Sequence, residues 1–179
     1  MRVQSVSAGH ETFTIAGFPL ESGVVLERAE LVYRSYGKLD ERRSNAVLFP
    51  TWFAGNHQDN ERLIGPGKPL DTDRYFVVVP NLFGNGVSSS PSNTAGEHHG
   101  AGFPRVEVRD NVEAQHRLLT DHFGIEVLQL VVGCSMGAAQ TYQWAVSHPE
   151  MVRRAMPLCG SRASAGTCPG RSGRSRPGC

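Results

Sequence analysis

Three short runs, residues 46–49, 75–79 and 127–132, are apolar at almost every position, and they constrain this chain more than any other feature. A strand wetted on one face alternates apolar and polar residues. Continuous apolar runs instead suit strands covered on both faces, as in a parallel sheet between layers of helix. Residues 12–15 and 24–36 read as earlier strands and 155–159 as a later one. Between the last two apolar runs, 110–123 reads as a helix: Asp110 with Glu113 forms a capping-box pattern, Val112, Leu119 and Phe123 recur on one face, and Gly124 ends it. A second helix is predicted over 136–148, stopped by Pro149. Strands alternating with helices imply an α/β fold with a mainly parallel sheet flanked by helices.

Length then matters. The chain has 179 residues, 39% of them hydrophobic and 20% charged, an ordinary globular balance. A doubly wound α/β enzyme commonly needs about 200–250 residues. The expectation is an incomplete domain over 1–159. Residues 160–179 contain no Val, Ile, Leu, Met or aromatic side chain and are dominated by Gly, Ser, Arg and Pro, which predicts a low-complexity, disordered tail. A formal charge of +1 offers no bulk attraction to nucleic acid or anionic membrane, so neither is expected as a partner. The first residues lack the apolar core of a signal peptide and no run approaches a membrane span, which predicts a cytoplasmic address. The cysteines show no C-x-x-C pair and no His at zinc-ligand spacing, so no metal site is expected, and Cys134 and Cys159 read as small buried hydrophobes.

The chemical signal is Gly133-Cys-Ser135-Met-Gly137, a G-x-S-x-G pattern lying between an apolar strand and a helix. In that context the glycines Gly133 and Gly137 permit a sharp turn that lifts the Ser135 hydroxyl clear of the sheet as a nucleophile, while the Met136 N–H points at a developing oxyanion. A second donor is expected from the loop after an earlier strand, here Thr51-Trp52-Phe53-Ala54-Gly55, with the backbone N–H of Phe53 or Trp52 as the candidates. The segment 84–104, rich in Gly, Ser, Asn and Pro, reads as a long loop over the carboxyl edge of the sheet, where open α/β sheets bind ligands. His57, His98 and His99 read as solvent-exposed loop residues.

The elbow Gly133-Cys-Ser-Met-Gly-Ala-Ala-Gln-Thr-Tyr-Gln-Trp-Ala145, together with Phe83-Gly-Asn-Gly-Val-Ser-Ser-Ser-Pro-Ser-Asn93 and Asp110-Asn-Val-Glu-Ala-Gln115, resembles the homoserine O-acetyltransferase family of α/β-hydrolase-fold enzymes. The resemblance implies acyl transfer through an acyl-serine on Ser135, with Met136 as an oxyanion donor. It also implies acetyl-CoA or another acyl-CoA as co-substrate rather than a bound cofactor, and a hydroxyl acceptor. Typical acetyltransferases of that family carry a His-Ala-Leu-Thr-Gly-like oxyanion loop where this chain has Thr51-Trp-Phe-Ala-Gly55. Ester or thioester hydrolysis is therefore the alternative.

Members of the family continue past the position of Gly160 into a helical lid, further strands and the triad's Asp and His. Here the only acid after Ser135 is Glu150 and the only histidine is His148. At the far end of the predicted helix, His148 would lie about 20 Å from the serine. Lid and later strands are expected to be missing, leaving Ser135 without its acid and base. A non-catalytic fragment is the third reading, and an exposed sheet edge near 155–159 is expected to favour self-association.

Overall fold

In the computed structural model, which describes residues 9–160, the strand-forming runs assemble into one six-stranded sheet of order β1-β2-β4-β3-β5-β6. The strands are β1 (Glu11–Pro19), β2 (Val25–Tyr36), β3 (Ala46–Leu48), β4 (Phe76–Pro80), β5 (Leu128–Cys134) and β6 (Ala155–Leu158). The central pairings β4–β3, β3–β5 and β5–β6 are parallel. The first two, β1–β2 and β2–β4, are antiparallel, so the sheet is mixed rather than parallel throughout. The reason is local for β1–β2: Leu20 N–H donates to Val24 C=O and Gly23 N–H to Leu20 C=O, both at 2.9 Å, closing a tight hairpin. A connection that short can join only antiparallel neighbours.

Period-two alternation divides the central strands between two apolar layers. Ala46, Leu48, Phe76, Val78, Leu128 and Val131 face a large core. Val47, Val77, Val79 and Val132 face a smaller one with Phe49, Ile64 and Leu70. Leu128 and Val131 share a face although they stand three positions apart, because the β3–β5 register shifts between Ala46 and Val47.

The large core is roofed by α2 (Val108–Arg117) and α3 (Met136–Ser147), which contribute Val112, Ala114 and the fully buried Trp144. Helix α2 begins two residues before the predicted start. Asp110 is not its cap: its carboxylate reaches back to accept the Glu107 N–H at 2.7 Å and also takes the Glu21 N–H at 2.8 Å. After Arg117 the helix widens, with the Phe123 N–H reaching Leu118 C=O five residues back. The smaller core is covered by the segment after β3, which holds a one-turn helix, α1 (His57–Asn60). Sequence periodicity does not register one turn of helix. The predicted tail lies outside the described residues, apart from Gly160. No helix among the described residues is long and apolar enough to cross a membrane.

Candidate active site

Strands β3 and β5 are parallel neighbours, so the chain leaves both at the same sheet edge. The loop after β3 and the turn after β5 therefore meet there, and Ser135 stands between β5 and α3 at that edge. Its backbone sits at φ 54°, ψ −114°. A left-handed φ on a residue with a side chain is strained and persists only where the surroundings impose it. Here they do: the Ser135 N–H donates to Leu158 C=O at 2.9 Å, and its own C=O accepts from Ala138 at 2.9 Å and Ala139 at 3.2 Å. Strand end and helix start approach so closely that a Cβ on Gly133 would collide with the Gly137 carbonyl. A Cβ on Gly137 would stand 2.8 Å from the carbonyl oxygen of Pro50, which shows the β3 loop lying directly on the elbow. The two glycines thus serve two different close approaches.

The turn leaves Ser135 exposed at the amino end of α3, and its hydroxyl has no hydrogen-bond partner among the described residues. Helix starts leave N–H groups without intrahelical acceptors and carry a partial positive charge. The Met136 N–H is such a group. In the facing loop, Thr51 N–H donates to Pro80 C=O and Gly55 N–H to Trp52 C=O at 3.1 Å, while the N–H groups of Trp52 and Phe53 have no acceptor among the described residues. Trp52 is half-buried with its indole against Gly55, and Phe53 is 68% exposed, so Phe53 does not cap the core. An exposed hydroxyl thus stands at a helix start, and a loop whose residues 52 and 53 carry unpaired N–H groups packs on the same elbow.

The long loop is not slack. Ser88, Ser89 and Ser90 are buried, and the hydroxyls of Ser88 and Ser89 accept the N–H groups of Val32 and Glu30. Asn93 bonds back to Ser90 N–H and to the carbonyls of residues 86–88. Asn85 Nδ2 reaches Gly55 C=O at 3.3 Å, tying this loop to the one bearing Trp52 and Phe53. Asn111, at the start of α2, accepts the Phe83 N–H at 2.7 Å.

None of the upstream histidines is held against Ser135. His57, read from sequence as exposed, is buried: its backbone N–H donates to Asn81 Oδ1 at 3.0 Å and its Nδ1 lies 3.1 Å from Asn81 Nδ2. Burial holds its pKa below the ordinary histidine value. His98 lies 3.8 Å from Glu97, and His99 Nδ1 faces Thr94 C=O. His148 stacks on His116 at 4.1 Å, just past the far end of α3. Those two rings and Glu113 bring one ligand-type atom each within 4.8 Å of the others, but the ring planes are within 7° of parallel, so their in-plane lone pairs do not converge. Cys134 is half-buried and Cys159 exposed, against the buried expectation; β6 is the last strand of the sheet, with no strand beyond it among the described residues. Burial pushes the pKa of the Cys134 thiol up, with Cys159 beside it acting in the same direction.

A serine at a strand-to-helix turn, between a mixed sheet and a roofing helix, fits the nucleophile elbow of α/β-hydrolase folds. The chain matches the alpha/beta hydrolase fold over residues 45–177 and belongs to that family. It is 47% identical over 152 residues to an ethyl acetate hydrolase of Pseudomonas veronii, covering 84% of this chain and 44% of that protein. It superposes on the solved structure of an acetylester hydrolase from Corynebacterium glutamicum with a TM-score of 0.83 and 46% identity, over 86% of this chain and 44% of the other. It is also 41% identical over 170 residues to a homoserine O-acetyltransferase of Methanococcoides burtonii, covering 84% of this chain and 34% of the relative. The chain therefore spans less than half the length of these relatives.

Sequence reasoning missed Gln115 and Gln140, two buried amides that connect α2, α3 and the loop after β3. The signal was present. Gln115 falls three residues after Val112 and four before Leu119, on the apolar stripe of its helix, where a polar side chain needs a partner.

Proposed function

We propose that this chain carries the nucleophile and oxyanion half of an acyl-ester hydrolase, in which Ser135 is acylated by a short-chain ester and the N–H groups of Met136 and of Phe53 or Trp52 hold the oxyanion. The observation that carries the reading is Ser135 itself, exposed at a strained strand-to-helix turn against which the β3 loop is packed. Hydrolysis is favoured over transfer to homoserine by two features: the higher identity to esterases, and the Thr51-Trp-Phe-Ala-Gly55 loop in place of the acetyltransferase-like one. Transfer from acetyl-CoA to a hydroxyl acceptor remains the second reading, supported by the acetyltransferase relatives.

A serine hydroxyl needs a base within hydrogen-bond reach, and no side chain of the described residues occupies that place. Retaining oxyanion donors without base and carboxylate leaves a residual acceleration on the order of 10³–10⁴ over water. Slow deacylation makes the acyl-enzyme visible. The purified 179-residue chain, incubated with p-nitrophenyl acetate or acetyl-CoA, should gain one acetyl group on Ser135 from the ester, measured by intact mass, and Ser135→Ala should gain none. Discharge of the adduct should proceed at the same rate with and without homoserine. Acetylation from acetyl-CoA, discharged faster by homoserine, would instead establish the transferase reading.

A further inference from the structure

Three fully buried side chains run in line from the core to the loop that carries the oxyanion donors. Trp144 Nε1–H donates to Gln115 Oε1 at 2.8 Å, Gln115 Nε2 donates to Gln140 Oε1 at 2.6 Å, and Gln140 Nε2 donates to the Thr51 carbonyl at 3.0 Å. The same Gln140 Nε2 lies 3.4 Å from the Met136 carbonyl, so one amide touches both the elbow helix and the facing loop.

The direction of this chain of bonds is fixed by its ends. An indole N–H can only donate and a backbone carbonyl can only accept. Between them, the two amides have a single orientation that satisfies every link; turning either one over sets donor against donor or acceptor against acceptor in a site without water access. Gln140 is therefore obliged to present its N–H to Thr51. Bonds aligned in one direction also polarise and strengthen one another.

Holding the Thr51 carbonyl has a consequence one atom further on. The described residues contain no cis peptide, so the Trp52 N–H lies in the Thr51 carbonyl's plane and points the opposite way. Fixing the carbonyl aims the N–H. The next plane is fixed in the same manner, because Trp52 C=O accepts the Gly55 N–H at 3.1 Å and thereby orients the N–H of Phe53. Further ties on this loop, Leu82 N–H to Thr51 Oγ1 at 3.2 Å and Asn85 Nδ2 to Gly55 C=O at 3.3 Å, hold its position but do not set the Thr51–Trp52 plane.

We propose that Gln140 is a positioning residue for the Trp52 oxyanion donor, its amide set in direction by Gln115 and Trp144. The inference rests on reading Ser135 as the nucleophile. Donors already aimed at the developing charge need no reorganisation when the carbonyl is attacked, which is the source of their effect on rate.

The test replaces one atom. Gln140→Glu keeps shape and the acceptor for Gln115 but puts an oxygen opposite the Thr51 carbonyl. When protonated, the introduced carboxyl donates again, and burial raises the pH at which it does so. Phosphonylation of Ser135 by a fluorophosphonate probe, followed by intact mass on the full chain between pH 5 and 8, reads the donors directly, because the probe's oxygen develops charge in the same place. Gln140→Glu should react roughly ten-fold or more slowly than the parent at pH 8, and the ratio should close toward one as the pH falls. Trp144→Phe, which touches neither the loop nor Ser135, removes the obligatory donor and should slow labelling by a smaller factor independent of pH; it carries the test if the first variant does not fold. Parental rates in both variants, or a pH-independent loss in Gln140→Glu, would overturn the proposal. Labelling that persists in Ser135→Ala would overturn the nucleophile reading itself, and so is told apart from failure of the positioning role.

Discussion

At φ 54°, Ser135 occupies backbone space that glycine enters freely and serine does not. Such strain stores about 1–3 kcal/mol, partly offset in a glycine variant by the greater freedom of glycine in the unfolded chain. Ser135→Gly should therefore stabilise the fold by about 1 kcal/mol, a rise of roughly 3 °C in melting temperature for a chain of this size, while abolishing acylation. Ser135→Ala keeps the Cβ and should leave the melting temperature near that of the parent. Thermal unfolding of the three proteins measures the difference, and a glycine variant no more stable than the parent would mean that the elbow carries no strain. Ser135, Gly133 and Gly137 were legible in the sequence because the turn is local: five consecutive residues contain the reason for it. The role of Gln140 was not, since its partners Thr51 and Gln115 come from elements remote in sequence, and only their meeting shows that a helical glutamine is buried and directed.

At the scale of elements, apolar runs placed the central strands to within a residue or two because burial on both faces leaves a mark on every position, whereas β1, read as 12–15, runs on to Pro19. Pairing direction left none: nothing local to residues 25–36 or 76–80 states that β2 runs antiparallel to β4. The one-turn helix α1 is too short to show periodicity and is held by the Asn56–Asp59 cap together with contacts to other elements. His57 seats it. Asn81 fixes the protonation state: its Oδ1 takes the His57 backbone N–H and its Nδ2 donates to Val32 C=O at 2.9 Å, so the Nδ2 that faces His57 Nδ1 meets an acceptor, a neutral ring. Burial is the main cause of the lowered pKa and outweighs the opposing Asn81 side-chain contact, with His10 and Arg34 acting in the same direction as burial and Glu61 against it. The sign follows. The unfolded chain takes up the proton near pH 6.5 and the folded chain only at lower pH, so the contribution to stability is complete above about pH 6.5 and is lost as the pH falls toward the folded value. His148, also lowered by burial and by His116, adds to the same trend. The melting temperature should drop between pH 7.5 and 5.5, and His57→Gln should flatten that drop without removing the part due to His148. An unchanged pH slope in the variant would show that His57 is not a buried neutral ring.

For the molecule as a whole, the sheet ends on β6, which pairs with β5 on one side and has no strand on the other among the described residues. Its side chains are open as well: Met156 is 49% and Leu158 39% exposed. Relatives about twice as long or longer carry further chain that this sequence does not match. An edge with unpaired N–H and C=O groups and apolar side chains is a template for another strand, and soluble proteins ordinarily protect such edges with charge, proline or a cover. No charged side chain lies within β6; of these devices it carries only Pro157, which withholds a single N–H. The 179-residue chain is therefore expected to self-associate through this edge, with a sedimentation coefficient that rises with concentration over the micromolar range. Met156→Lys, a charge placed on the edge strand at a position already exposed, should shift the population toward monomer without lowering Ser135 labelling. A parent chain that sediments as a monomer at every concentration and unfolds in one cooperative, high-temperature transition would show that the β6 edge is already satisfied within the chain.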